Sequence, residues 1–290
     1  MFPLTRRESE TRETLDPEHP LFGLGYAQPV ENRTFTRFAD GLVTRANAPV
    51  AEEIPVALAY NGHPHVVMMC TPADIEDFAR GFTFTEEIVA RAGDITSIRA
   101  VRYSQGIEVA IAIPDECAMA LGSRGRALVG RTGCGLCGVT TIDDALRPGR
   151  LVGSITPLAI EALLRAANEL PSWQRYNDGT GAVHAAGWAS ADGTLVLARE
   201  DVGRHNALDK LIGAMIAADV DPGNGFAIIT SRASYELVQK CAAYGIVALA
   251  AISRPTGLAV RMAEAAGIGL AGLVRGRSAN LYSHPELFAA

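Results

Sequence analysis

The sequence predicts an α/β protein in two unequal parts: a small α+β N-terminal domain, then a C-terminal mixed, largely parallel sheet with helices on both faces. Three observations carry that prediction. Residues 30–60 alternate polar and apolar positions around turn signals, as antiparallel strands do. Beyond Trp188, short apolar runs alternate with amphipathic helical patterns, the order that lays helices over parallel strands. Between the two stands a glycine-flanked cysteine pair, followed by Arg147-Pro148-Gly149-Arg150, which reads as a linker.

In chain order, residues 1–29 are polar and aperiodic and read as a flexible arm. Residues 30–130 form the α+β domain. Arg33 to Phe38 alternates, Asp40-Gly41 signals a turn, and Ile54 to Tyr60 resumes the strand pattern. Asn61-Gly62 then reads as a hairpin turn into His65 to Met69. Thr71-Pro72-Ala73-Asp74 offers a cap, a proline at the first helical position and an early acid, so a helix is expected through about Phe82. Thr85-Glu86-Glu87 suggests a second short helix, and strands return from Ile95 to Ile113.

Residues 131–150 are the mobile Cys-x-x-Cys loop and linker, and 151–290 the α/β domain. Thr156-Pro157 again pairs a cap with a first-turn proline. Ile160, Leu163, Leu164 and Ala167 then follow at helical spacing, and Pro171 stops the helix. Strands are expected at Thr194 to Ala198, Phe226 to Thr230, Ile246 to Ile252 and Ile268 to Val274. Helices are expected around Leu208 to Met215, from Ser234 to Tyr244, and from Leu258 to Ala266.

The 290 residues are 48% hydrophobic and 20% charged, ordinary globular composition. A net charge of −6 argues against non-specific nucleic-acid binding. Five unevenly spaced cysteines imply no disulfide framework, and Cys70, Cys117 and Cys241 read as inert core residues. Arg6, Arg7, Glu8 and Glu10 are followed by no apolar run, and Ile246 to Ile252 is too short for a membrane span. The expectation is a soluble, cytoplasmic protein.

In an open α/β sheet, ligands bind beyond the carboxyl ends of the strands. Here those ends carry Glu200-Asp201-Val202-Gly203-Arg204-His205-Asn206, Ser231-Arg232-Ala233-Ser234, Ser253-Arg254-Pro255-Thr256 and Arg275-Gly276-Arg277-Ser278. An arginine at every corner, with hydroxyls and helix N-termini, makes an anion site suited to phosphate. Asp201 could accept from the exocyclic amine of a base, or be a solvated or arginine-paired carboxylate like Glu200. His205, at a helix start, has two readings, phosphate donor or cap. His184 lies in an apolar context and reads as a core histidine.

The cysteine pair sits in Thr132-Gly133-Cys134-Gly135-Leu136-Cys137-Gly138. The β-branched run after it is a poor helix start, unlike the thioredoxin arrangement. No second cysteine pair or nearby histidine completes a zinc site, so no tightly bound metal is expected. A thiolate beside Arg131 and free amides would be a good nucleophile, fit to carry a persulfide sulfur. A thiol–disulfide oxidoreductase is the alternative.

These stretches resemble the FdhD family. The likeness is carried by the cysteine motif, by Glu200 to Lys210, and by Ser231 to Lys240. Glu53-Ile54-Pro55, Thr71-Pro72, Gly81-Phe82 and Asn280-Leu281-Tyr282 add to it. The resemblance implies an accessory sulfurtransferase for the formate dehydrogenase catalytic subunit. It implies a homodimer that receives sulfur from a cysteine desulfurase and passes it to the molybdenum bis-guanine-dinucleotide cofactor. It implies that the C-terminal domain is cytidine deaminase-like without the zinc ligands. Cys134 would be the persulfide carrier and Cys137 its partner, with Leu273, Val274, Arg275, Gly276, Arg277 and Ser278 in the cofactor site. Arg254 stands where that family commonly has Ala, which implies a different contact there.

Overall fold

A computed structural model describes residues 19, 21–124, 150–153 and 155–289. After a 3-10 turn at Leu24–Tyr26, β1 (Val30–Ala39) and β2 (Leu42–Ala51) form a hairpin joined at Asp40 and Gly41, both at positive φ. It forms a two-stranded sheet of its own, apart from the four strands that follow. Those are β3 (Ile54–Tyr60), β4 (His63–Cys70), β5 (Ser97–Tyr103) and β6 (Gly106–Ala112), in the order β4-β3-β6-β5. Asn61 and Gly62, at φ 47 and 82, make the expected left-handed turn between β3 and β4.

Helix α1 (Ile75–Thr85) covers this sheet, burying Phe78 and Phe82 against Ile54, Val56, Leu58 and Val109. Its start differs from expectation. The helix begins three residues past Pro72, after Asp74 in the left-handed region, and Thr71 does not cap it. Thr71 serves the other domain instead, as described below. The second helix expected at Thr85 is absent too: Thr85 is the last residue of α1 and is buried. Helix α2 (Asp115–Arg124) follows β6.

The C-terminal sheet has six strands, ordered β13-β12-β11-β10-β8-β9. They are β8 (His184–Ser190), β9 (Leu195–Asp201), β10 (Gly225–Ile229), β11 (Ala248–Ala251), β12 (Gly269–Arg275) and β13 (Ser278–Ser283). Only β10, β11 and β12 pair in parallel, while β8, β9 and β13 are antiparallel to their neighbours. The sheet is therefore mixed, as expected, with a smaller parallel share. The difference comes from β8, an Ala- and Gly-rich strand whose polarity does not alternate.

Helix α3 (Ile160–Glu169) packs on one face; α4 (Arg204–Ala217), α5 (Tyr235–Tyr244) and α6 (Gly257–Ala266) pack on the other. Successive strand residues supply the two cores: Ala227 and Ile229 face α4–α6, Phe226 and Ile228 face α3. A strand buried on both sides has to be apolar throughout, which explains the unbroken run at β11. Thr156-Pro157 does not open α3. A short β7 (Leu158–Ala159) comes between, pairing with β14 (Phe288–Ala289), and Ala159 is the cap residue.

The domains meet where α1 crosses α4. Gly81 and Gly213 sit at the crossing, and a Cβ on either would overlap the opposite backbone, at Asp209 and Asp77 respectively. The two helices touch main chain to main chain, which only glycine allows.

Candidate functional site at the carboxyl edge of the six-stranded sheet

β9 is antiparallel to β8, and β8 to β10, so β9, β10, β11 and β12 all run the same way. Their carboxyl ends share one edge of the sheet. Arg204, Arg232, Arg254 and Arg275 therefore fall along that edge, as the sequence pattern requires. From β12 to β9 there are four interstrand steps, roughly 19 Å at the usual spacing. His184, the first residue of β8, joins the same edge opposite Asp201.

The helices α4, α5 and α6 point their N-termini at this edge, with cap residues Gly203, Ser234 and Thr256. Helix N-termini offer N–H groups and positive potential to an anion. The Thr256 hydroxyl accepts the Ala259 N–H at 3.2 Å, so it works as a cap. The Ser234 hydroxyl caps nothing: buried, it has no hydrogen-bond partner among the described residues, and the same holds for Arg204 Nε. Ser231 is buried and donates to the Arg232 carbonyl at 3.2 Å. Arg232 itself is exposed.

His205 lies nearly buried with Nε2 against the Glu236 carboxylate. Burial pushes the Glu236 carboxyl up, but His205 and Arg204 outweigh it and hold it below its ordinary value. His184 is held below the ordinary imidazole value by burial and by the nearby Arg204 charge, so it is neutral at pH 7. Its place at the edge is a correction: it is a rim residue rather than a core histidine. The sequence concealed it because β8 itself was not recognisable. Gln174, another residue not singled out in the sequence, is 8% exposed, and its Nε2 has no partner among the described residues. It begins the segment whose Tyr176 and Asn177 N–H groups donate to Glu200 at 2.9 Å. Burial raises the Glu200 carboxyl against those hydrogen bonds.

At the far end of the edge, β12 breaks its register between Gly272 and Arg275. Leu273 has φ 51, a left-handed conformation rare for leucine, and its N–H donates to the Ser253 carbonyl at 3.0 Å. Of the predicted segment, Val274 is fully buried in the core, while Arg275, Gly276, Arg277 and Ser278 are exposed on the turn into β13. Val274 therefore supports the segment from below.

Asp201 and Asn206, expected as ligand contacts, are committed to partners within the protein. Asp201 is fully buried and pairs with Lys210 Nζ at 2.7 Å. It also accepts the N–H groups of Thr71 at 2.9 Å and Gly203 at 2.8 Å. Asn206 donates Nδ2 to the Met69 carbonyl at 2.8 Å and to Asp201 at 3.1 Å. Lys210 donates further to the carbonyls of Thr71 at 3.0 Å and Glu200 at 3.3 Å, so its three protons are all used. The Thr71 hydroxyl accepts the Val202 N–H at 3.1 Å.

The seam continues at the other end of α1. Lys240 stands between Asp209, at 3.0 Å, and Glu86, at 2.8 Å. Thr85 donates to Asp209 at 2.6 Å. Burial disfavours the Lys240 charge, yet the two carboxylates hold its pKa above the ordinary lysine value. The stretch from Glu200 to Lys210 thus does two jobs. Arg204 and His205 belong to the sheet edge, whereas Asp201, Asn206, Asp209 and Lys210 fasten the domains together.

Cys134 and Cys137 lie outside the described residues, as do residues 125–149 generally. On the near side of that stretch α2 ends at Arg124; beyond it Arg150 pairs with Glu87 at 3.2 Å. The described cysteines are poor nucleophiles. Cys70 and Cys241 are fully buried, which raises both thiols, Cys241 to about 12, and Cys117 is raised as well.

A profile of the FdhD/NarQ family matches residues 51–289. A protein of Bordetella petrii named Sulfur carrier protein FdhD is 51% identical over 237 residues, 82% of this chain and 85% of that protein. The protein of the same name from Cupriavidus necator is 47% identical over 270 residues, 92% of this chain and 93% of the relative. Among solved structures, one from Desulfotalea psychrophila, assigned as a formate dehydrogenase accessory protein, superposes with a TM-score of 0.73. It is 23% identical, and the match covers 90% of this chain and 99% of that one. The latter likeness is one of fold.

Proposed function

Because this chain belongs to the FdhD/NarQ family, we propose that it is a sulfur carrier, a sulfurtransferase that serves the maturation of formate dehydrogenase. In this reading Cys134 takes sulfur as a persulfide from a cysteine desulfurase, and Cys137 assists its release. The acceptor is the molybdenum bis-guanine-dinucleotide cofactor, written here as substrate, and the working unit is a cytoplasmic homodimer. Among the described residues no helix is long and apolar enough to cross a membrane.

The observation that carries the acceptor assignment is the convergence of four arginine-bearing strand ends and three helix N-termini on one edge. Buried donors at Arg204 Nε and Ser234 Oγ with no partner among the described residues support it, because native structures rarely leave such groups unpaired. An edge roughly 19 Å long suits an extended ligand carrying two pyrophosphates. The protein groups would orient that ligand and neutralise its phosphates; the cofactor supplies the metal that accepts the sulfur.

Two measurements test the reading. Incubation with a cysteine desulfurase and cysteine, followed by intact mass spectrometry, should add sulfur to the wild-type chain and not to Cys134→Ala. Full loading of Cys134→Ala overturns the carrier assignment. Calorimetric titration with GDP should show binding that weakens at least about tenfold in Arg204→Ala. Equal affinity in that variant removes the edge from the acceptor site.

A further inference from the structure

The β1–β2 hairpin forms a two-stranded sheet separate from the four- and six-stranded sheets. A two-stranded ribbon is marginally stable alone in water. This one exposes Phe38 by 74%, Leu42 by 68% and Val43 by 67% near its tip. Its two edges are not equivalent. Pro49, opposite Asn32, has no N–H, so that pair is a non-hydrogen-bonded one. Alternation along the strand then turns the N–H and C=O groups of Thr34 outward, along an edge of β1 that pairs with no other strand among the described residues.

That edge is complementary to itself. Pair it antiparallel with a second β1 about a two-fold axis at Thr34, perpendicular to the ribbon. Glu31 of one copy then lies opposite Arg37 of the other, twice by symmetry, and Val30 lies opposite Phe38. Glu31 is also paired with Arg33 of its own strand, so each Glu31 stands between two guanidinium groups. Arg33 meets the ring of Phe35. Moving the axis one residue along the strand places Arg33 against Arg33, or Arg33 against Arg37, and like charges directly opposite destabilise a ladder. Of these three registers, the one centred on Thr34 alone sets opposite charges against each other while keeping the outward backbone groups of the two strands paired.

We infer that two copies of this chain join through the free edges of β1, forming a four-stranded ribbon β2-β1-β1-β2 with the Glu31–Arg37 pairs on one face. The inference rests on the homodimer reading above and names the surface that makes it.

Sedimentation equilibrium of the full chain over a dilution series tests it, with three variants. Arg37→Glu places two acids opposite each other and should weaken dimerisation at least about tenfold. Glu31→Arg combined with Arg37→Glu restores the opposite-charge pairing and should recover most of the loss. Thr34→Pro removes an outward N–H while sparing the backbone bonds of the hairpin, losing only the Thr34 hydroxyl bond to Asn47, and should also weaken the dimer about tenfold or more. A wild-type chain that sediments as a monomer throughout overturns the inference and the homodimer reading together, leaving the strip for another protein. A wild-type dimer indifferent to all three variants overturns the β1 contact alone. Sulfur loading of Cys134 is read separately, so neither result is confused with failure of the carrier assignment.

Discussion

Consider Gly213→Ala. On intrinsic propensity the change should stabilise the protein, since alanine in a helix interior is favoured over glycine by about 1 kcal/mol. The geometry of the crossing predicts the opposite sign. A Cβ at position 213 overlaps the Asp77 carbonyl oxygen and would stand 2.7 Å from its carbon and 2.9 Å from the Gly81 nitrogen. Ordinary contact begins at 3.4 Å, and the overlap with the oxygen governs, so α1 and α4 would have to part by roughly 1.5 Å. Backbone atoms cannot swing aside as the end of a long side chain does. Overpacking of this kind costs about 1–3 kcal/mol. Parting also stretches the Thr85–Asp209 hydrogen bond at 2.6 Å, whose partner is buried and has no water to turn to. The net expectation is a loss of about 1–3 kcal/mol in urea unfolding followed by circular dichroism. Gly81→Ala/Gly213→Ala should cost less than the sum of the single changes, because one displacement relieves both overlaps. A variant as stable as wild type, or more so, refutes the claim that the helices meet backbone to backbone.

Two further outcomes follow from the polar seam and from the sheet edge. Asp201→Asn strands the fully buried Lys210 charge and should destabilise by about 3–5 kcal/mol, measured by the same unfolding experiment; a stable variant that loses only GDP binding would return Asp201 to the ligand site. Glu236 is held below its ordinary value of 4.5, so it contributes stability that is complete above that pH and lost as pH falls below it. Glu236→Gln should flatten the acid limb of the stability profile below about pH 5, and an unchanged limb would show that the His205 contact contributes nothing.

Much of the fold was legible because local chemistry and tertiary placement agree. Asp40-Gly41 and Asn61-Gly62 announce turns that only a positive φ can close. The apolar run at β11 reads as a central strand because both of its faces are covered. The strand ends could be aligned from sequence since the chirality and order of strand–helix units leave few alternatives. Three things were not legible. β8 carries too many small residues to alternate. Thr71-Pro72 has the chemistry of a cap, yet tertiary hydrogen bonds to Asp201 and Val202 claim it first. Acids and amides such as Asp201 and Asn206 look alike in sequence whether they face a ligand or a neighbouring domain. Only the position of α1 decides between those, and no pattern within Glu200 to Lys210 encodes it. Conversely, Arg204 and Arg275 could be placed because both flank the carboxyl ends of parallel-running strands.

The seam between α1 and α4 also bears on what happens to a severed chain. Lys210, Asp209 and Lys240 are all but inaccessible to solvent, and each depends on atoms from both halves of the sequence. Neither half could leave the other without breaking these buried ion pairs and hydrogen bonds together. A protease that nicks the polypeptide anywhere within 125–149 should thus yield two fragments that still elute as one particle, separable by denaturant but not by dilution.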